Sequence, residues 1–364
     1  MKIKAAVVRE KGGPFRIEEV ELEEPREDEV LVRIAGAGLC HTDLAARDQL
    51  VPSPFPIVLG HEGAGIVEKI GKRVQKVKPG DHVVLSYVAC GVCTPCRKGM
   101  EHICLNSFEY NFMGKRPDGS RTMRKGKEVI NGAFFGQSSF ASYALANERN
   151  TVKVADDVPI ERLGPLGCGV QTGAGGVINA LSPKPGSSLA VFGTGGVGMS
   201  AIMAGALCGC TKIIAVDVKE ARLKAARKLG ATHAINPRKT NPTEAILQIT
   251  GEGVDHALDT TGIPEVINQA VEALAAGGSC GLIGISSPDA RLGTAIGTLM
   301  HGRSVFGIIE GNAVPDIFIP QMVELHKQGR FPIDRMITFY DLDRINEAVK
   351  DAEGGRTLKA VLRP

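Results

Sequence analysis

The stretch "SSLAVFGTGGVGMSAIMAGALCG", residues 187–209, constrains the fold more than any other part of the chain. A short apolar run passes into a glycine-rich turn and then into a helical pattern. "GTGGVG", residues 193–198, fits G-x-G-x-x-G. The pattern alone is weak. Here a strand is predicted before it and a helix after it, and Asp217 ends the next apolar run, 19 residues past Gly198. A strand–turn–helix–strand unit of this kind requires a parallel sheet with helices packed on its faces. Each glycine has its own reason. Gly193 permits the tight turn, Gly195 lets the backbone approach a pyrophosphate, and Gly198 lets the helix pack close on the strand. Gly196 and Val197 open the helix, whose free N–H groups suit phosphate oxygens. Asp217, followed by Val218, is placed to accept a hydrogen bond from a ribose 2′-hydroxyl and to repel a 2′-phosphate. NAD is therefore expected over NADP. Arg222 is within reach of the same ribose.

From residue 187 to about 310, strands and helices continue to alternate. "TKIIAVDV" is strand-like, "EARLKAARKLG" is an amphipathic helix stopped by Gly230, and further pairs follow. The first ~150 residues read differently. "EVLVRIAGAG", "GIVEKIG" and "DHVVLSY" are strand patterns between glycine and proline punctuation, so a β-rich domain is expected there. After residue 310 come a helix, "DIFIPQMVELHKQG", and a final strand, "TLKAVLRP". A chain of 364 residues suits two such domains.

No apolar run reaches membrane-spanning length, and the N-terminus lacks the apolar core of a signal peptide. A cytoplasmic protein is expected. A net charge of +3 gives no case for nucleic acid or a membrane surface. The most basic run, "GKRPDGSRTMRKGKEV" at 114–129, has no interleaved aromatics and reads as a solvated loop.

Nine cysteines in such a chain argue against a disulfide framework. Four of them, Cys90, Cys93, Cys96 and Cys104, lie within "CGVCTPCRKGMEHIC". That spacing can close a tetrahedral four-thiolate site. An iron–sulfur cluster is the rival reading. Nothing else suggests electron transfer through a cluster, so zinc is expected. A closed site leaves no open coordination position, so its role is structural. Cys40 in "GLCHTD", His61 in "LGHEGAG" and Cys168 in "PLGCGVQTGAGG" are scattered, and each alone reads as an ordinary core residue.

Together these residues resemble a known family. "GHEGAGIVEKIGKRV" matches the zinc alcohol dehydrogenase signature of the medium-chain dehydrogenase/reductases at every specified position. The Cys90 cluster, Cys168 and "GTGGVG" fall in the family's order, so the resemblance spans essentially the whole chain. "GLCHTDL", "FFGQSSFASYAL" and "GPLGCGVQTGAG" look most like the bacterial aryl-alcohol (benzyl-alcohol) dehydrogenases.

The resemblance implies an α/β fold: a doubly wound, six-stranded parallel Rossmann sheet at 170–309, and a β-rich GroES-like catalytic domain at 1–169 and 310–364. It implies two zinc ions per subunit, the catalytic one held by Cys40, His61 and Cys168. Zinc would lower the pKa of a bound alcohol, and hydride would pass to NAD. Thr42 matches the hydroxyl that takes the alcohol proton. Asp43 matches the carboxylate that orients the histidine, and Glu62 the acidic residue near the metal. His41 and Lys359 match cofactor-pyrophosphate positions, and Thr172 a nicotinamide contact. Val51, Ser86, Phe134, Phe135 and Ile285 match the substrate channel. Ser86 stands where many relatives carry a larger aromatic, leaving room for a ring. A small-molecule benzyl-type alcohol, or its aldehyde, is the expected substrate. The alternatives are a general primary-alcohol or glutathione-dependent formaldehyde dehydrogenase, or a non-catalytic dinucleotide-binding protein. A homotetramer or dimer is implied, with "RSVFGII" as a pairing edge. Where many family members carry a relay histidine, this chain has Ala45. The proton is then expected to leave through Thr42, the ribose and water, with Arg47 nearby and a histidine at position 45 tolerated.

Overall fold

We describe a computed structural model of all 364 residues. The chain divides into two units, Met1–Gly169 with Val314–Pro364, and Val170–Ala313. Residues 310–313, placed in the first unit by the sequence reading, group with the second. Gly311 packs on the backbone of Gln171 and Gly175 so closely that a Cβ would clash there.

In the first unit, seven strands form one sheet. Its order is Thr151–Lys153, His82–Leu85, Gly63–Ile70, Glu29–Gly38, Lys359–Arg363 and Ile337–Asp341, with Tyr143–Asn147 also on Glu29–Gly38. The long strand Glu29–Gly38 is the hub. It pairs antiparallel with Gly63–Ile70, with Tyr143–Asn147 and with the last strand of the chain. That last pairing, Val361 opposite Gly38, brings the C-terminal residues beside the segment that carries Cys40. A second sheet has the order Ile57–Val58, Lys2–Val8, Arg16–Leu22, Met123–Lys125, Glu128–Ile130.

The basic run 114–129, read as a solvated loop, is exposed over 124–129 but is not all loop. Its second half supplies two strands of this sheet. Four of its cations have ion-pair partners in the unit, among them Arg116, only 5% exposed, which binds Glu29 and Glu23, and Arg124 and Lys125, which bind Glu21 and Glu18. Charge composition could not reveal this, because the partners of Arg116, Arg124 and Lys125 lie about a hundred positions away in sequence.

The second unit is a six-stranded parallel sheet ordered His233–Ile235, Lys212–Val216, Ser188–Phe192, Val254–Asp259, Leu274–Leu282, Ser304–Gly307. Numbered along the chain this is 3-2-1-4-5-6, the doubly wound order of dinucleotide-binding sheets. Its strands are apolar on both faces, because helices cover both. Ala190, Phe192, Ile214, Ala257 and Cys280 have no exposed surface. Ser304–Gly307 is an edge strand. No helix of the chain is long and apolar enough to cross a membrane.

Candidate active site

The tetrapeptide Cys40–Asp43 begins the helix His41–Arg47, and its local hydrogen bonding explains the spacing. Cys40 is the N-cap, in extended conformation, and Asp43 is the third helical residue. The Asp43 carboxylate reaches back to accept the Cys40 N–H through Oδ2, at 3.0 Å, as in a capping box. Its other oxygen, Oδ1, accepts from the Gly60 N–H at 3.0 Å and lies 2.8 Å from His61 Nδ1. One fully buried carboxylate thus fixes Cys40 and His61 together.

With Nδ1–H donated to Asp43, the lone pair of His61 is on Nε2. That atom is buried and has no hydrogen-bond partner. A buried polar atom without a partner is costly unless something else occupies its lone pair. The ligand atoms of Cys40, His61, Glu62 and Cys168 all lie within 4.8 Å of one another. The orphaned imidazole nitrogen and two thiols fit a zinc ion with an open fourth position.

Glu62 and Lys359 form a buried ion pair. Sequence comparison places Lys359 at the cofactor phosphates. The structure buries its ammonium instead, at 5% exposure, 2.7 Å from each Glu62 carboxylate oxygen and 3.2 Å from the Leu39 carbonyl. The Gly169 N–H donates to the same carboxylate at 3.0 Å. Burial pushes the Glu62 carboxyl up to about 7, against the opposing pull of Lys359. Against burial, which works to lower it, the Glu62 carboxylate holds the Lys359 ammonium above its usual value. A Cβ on Gly38 would strike the Glu62 carboxylate, so glycine is required there by close approach alone.

Gln137 is a site residue that sequence reasoning missed. It is fully buried; its amide N–H₂ donates to the His61 and Ser86 carbonyls at 3.0 and 3.2 Å, and its carbonyl accepts from the Gly63 N–H at 3.0 Å. It sits in "FFGQSSF" among apolar and small residues, and only its polarity in such a run could have marked it. The same segment places Phe135, whose ring lies 4.5 Å from the His61 ring. Phe134 has no exposed surface and packs edge-on to His61 and Phe112, so it supports Phe135 from behind. Ser86 is buried, its hydroxyl donating to the Gly167 carbonyl at 2.7 Å. Thr42 Oγ1 lies 3.7 Å from Cys40 Sγ. Val51 is half-buried and His41 is exposed.

The four clustered thiols form a second centre. Cys90 and Cys96 sulfurs are 4.0 Å apart, Cys93 and Cys96 3.4 Å, and Cys93 and Cys104 4.0 Å. Thiolates around a tetrahedral zinc at about 2.3 Å would be about 3.8 Å apart. The Val92 N–H, and the Cys93 N–H at 3.4 Å, hold the Cys90 thiol down to about 6, favouring the thiolate. Replacing Cys104 by serine is expected to remove one zinc per subunit by metal analysis and to lower Tm, with the other zinc retained. Loss of both or neither would contradict two independent centres.

In the second unit, Gly193 has φ +85°, and a Cβ there would press on Thr260. A Cβ on Gly198 would strike the Gly193 carbonyl. Gly195 is different: a Cβ there meets nothing within 4 Å. Internal packing does not demand that glycine, whereas a phosphate approaching the helix Gly196–Leu207 would. Gly196 and Val197 are half-exposed beside it, and Asp217 follows Lys212–Val216 with Val218 exposed. Arg222 is 3.6 Å from Asp217. Thr172, 7% exposed, has its hydroxyl 3.4 Å from Glu310, and Ile285 is half-buried beyond Leu274–Leu282. The residues fit a dinucleotide.

A dinucleotide-type sheet and two thiol-bearing centres suited to zinc define the class of a zinc-binding dehydrogenase. The pattern described as alcohol dehydrogenase GroES-like domain matches residues 26–156, and that of zinc-binding dehydrogenase matches residues 196–328. Geraniol dehydrogenase of Castellaniella defragrans is 47% identical over 361 residues, 98% of this chain and 96% of that protein. The crystal structure of a zinc-binding-domain alcohol dehydrogenase from Burkholderia ambifaria superposes with a TM-score of 0.98 at 51% identity, covering 100% of this chain and 99% of the other. Benzyl alcohol dehydrogenase from Acinetobacter calcoaceticus gives 0.96 at 46% identity, with the same coverage. The chain belongs to the zinc-binding medium-chain alcohol dehydrogenase family.

Proposed function

We propose that this protein oxidises a primary benzyl-type alcohol to its aldehyde, reversibly, with NAD. The observation that carries the reading is the Phe135 ring, its centroid 4.5 Å from that of the His61 ring, whose Nε2 is orphaned. A planar substrate held near that nitrogen gains an aromatic neighbour, typically about 0.5–1.5 kcal/mol per pair beyond burial. Ser86 is a small residue with its hydroxyl turned to the Gly167 carbonyl, where a larger aromatic would narrow the substrate space. The relatives support the reading: benzyl alcohol and geraniol both carry the hydroxymethyl group next to a π system.

Cys40, His61 and Cys168 would hold the catalytic zinc and Cys90, Cys93, Cys96 and Cys104 the structural one. Bound there, a zinc ion would supply Lewis acidity that lowers the pKa of the alcohol hydroxyl. The rest falls to side chains. Asp43 keeps His61 in the tautomer that leaves Nε2 free. Thr42 takes the hydroxyl proton as it passes its own on to the cofactor ribose and water, and Glu62, held by Lys359, places an anionic group beside the thiols. His41 and the segment Gly195, Gly196, Val197 and Gly198, after the turn at Gly193, bind the pyrophosphate, Asp217 the ribose, and Thr172 the nicotinamide. Two or four copies associate, with Ser304–Gly307 available as a pairing edge.

The test is initial-rate NADH absorbance with benzyl alcohol, geraniol, ethanol and S-(hydroxymethyl)glutathione side by side. The highest kcat/KM is expected for benzyl alcohol. A higher value for geraniol would move the assignment to open-chain allylic alcohols, and one for ethanol or the glutathione adduct would overturn it.

A further inference from the structure

We propose that Thr194 is the specificity-determining positioning residue that aims Asp217 at the ribose. The inference rests on the reading that Asp217 accepts from a ribose hydroxyl, and it deepens that reading. Thr194 occupies the variable position between the first two glycines of "GTGGVG", where G-x-G-x-x-G specifies no residue type. It has no exposed surface. Its backbone N–H and its hydroxyl both donate to Oδ2 of Asp217, at 2.8 and 3.0 Å. The other oxygen, Oδ1, accepts the Lys219 N–H at 2.9 Å.

An ionised carboxylate offers about four acceptor sites. Thr194 fills both of those on Oδ2. Lys219 fills one on Oδ1, leaving one free on that oxygen. The carboxylate is therefore locked in rotation, with its open lone pair on the oxygen that Thr194 does not touch. A ribose hydroxyl would find its acceptor already oriented, so no binding free energy is lost in ordering it. Arg222 Nη1, 3.6 Å from Oδ2, lies beyond hydrogen-bond distance. With the Thr194 hydroxyl gone, Oδ2 regains an open site that Arg222 can take, and the carboxylate can turn towards it. Valine keeps the shape of threonine and removes only the hydroxyl.

The experiment is a kinetic cycle on the zinc-loaded enzyme with Thr194→Val, Thr194→Ser, Asp217→Ala and Thr194→Val/Asp217→Ala, using NAD and NADP. In Thr194→Val the KM for NAD should rise about tenfold, in the range expected for one charge-assisted hydrogen bond, with kcat within twofold. Thr194→Ser should restore it. In the Asp217→Ala background the valine change should have no further effect on KM, because the group it positions is absent. A KM for NAD within twofold of the parent in Thr194→Val would overturn the proposal. So would a serine variant as impaired as the valine one, or additive losses in the double variant. Failure of the underlying reading looks different. In that case Asp217→Ala itself leaves the NAD to NADP preference unchanged.

Discussion

Replacing Thr42 by alanine is expected to lower kcat about 10²-fold or more, the range for loss of a group that moves a proton in the reaction. Thr42 stands between Cys40 and Asp43, with its hydroxyl 3.7 Å from the Cys40 sulfur. The local fold does not depend on that hydroxyl. The helix start is capped by the Asp43 carboxylate on the Cys40 N–H, and alanine is the best helix former. Zinc content and Tm should therefore stay at parental values while turnover falls. Thr42→Ser should keep most of the rate. A Thr42→Ala enzyme with unchanged kcat would remove Thr42 from the proposed proton path. The neighbouring residues sharpen this prediction. The sequence reading expects a histidine at position 45 to be tolerated, since related enzymes use one there. Ala45 is only 3% exposed and lies between Leu44 and Ala46, which are also buried. An imidazole would overpack this buried position, typically at a cost of about 1–3 kcal/mol. The Arg47 guanidinium forks onto Asp48 at 2.7 and 2.9 Å and reaches Glu353 at 3.4 Å.

These residues also show what kind of information the sequence held. The 193–198 turn and its strand and helix were legible because dinucleotide binding needs contiguous residues in fixed order. The four-thiolate centre was legible for the same reason: its sulfurs come from one loop of fifteen residues. Cys40, His61 and Cys168 could be joined only through resemblance, because a sheet, not a motif, brings them together. The Lys359 pairing was illegible. Its partner is 297 positions away, and only the pairing of the last strand with Glu29–Gly38 makes them neighbours. Gln137 and Thr194 hold other groups through hydrogen bonds whose geometry has no sequence period. The basic run failed for a related reason, since charge pattern says nothing about a distant counter-charge.

Lys359→Met should be among the most destabilising single changes in the first unit. The pair it breaks is closed to solvent: Lys359 is 5% exposed and Glu62 not at all. Removing one partner of a buried ion pair commonly costs about 3–5 kcal/mol, because the remaining charge is left without compensation. For a unit of this size that corresponds to a Tm lower by about 10 °C. Methionine has nearly the volume of lysine, so a cavity is not the cause. The control follows from the sign of the charge left behind. Glu62→Gln in the same chain removes the stranded carboxylate and should recover most of the lost Tm, although Glu62→Gln alone is destabilising. Two single variants that each lower Tm, with a double variant above Lys359→Met, would establish the pair as one unit. A double variant no more stable than Lys359→Met would mean that packing of the lysine stem, not its charge, matters at this position. The pH dependence offers an independent check. Burial holds the Glu62 carboxyl of the native pair at about 7, so it is half protonated near that pH. In Lys359→Met the opposing pull of the ammonium is gone, so protonation should begin at higher pH. The destabilisation relative to the parent should then shrink as the pH falls, and one that instead grew would assign the loss to some other contact of Lys359, such as the Leu39 carbonyl.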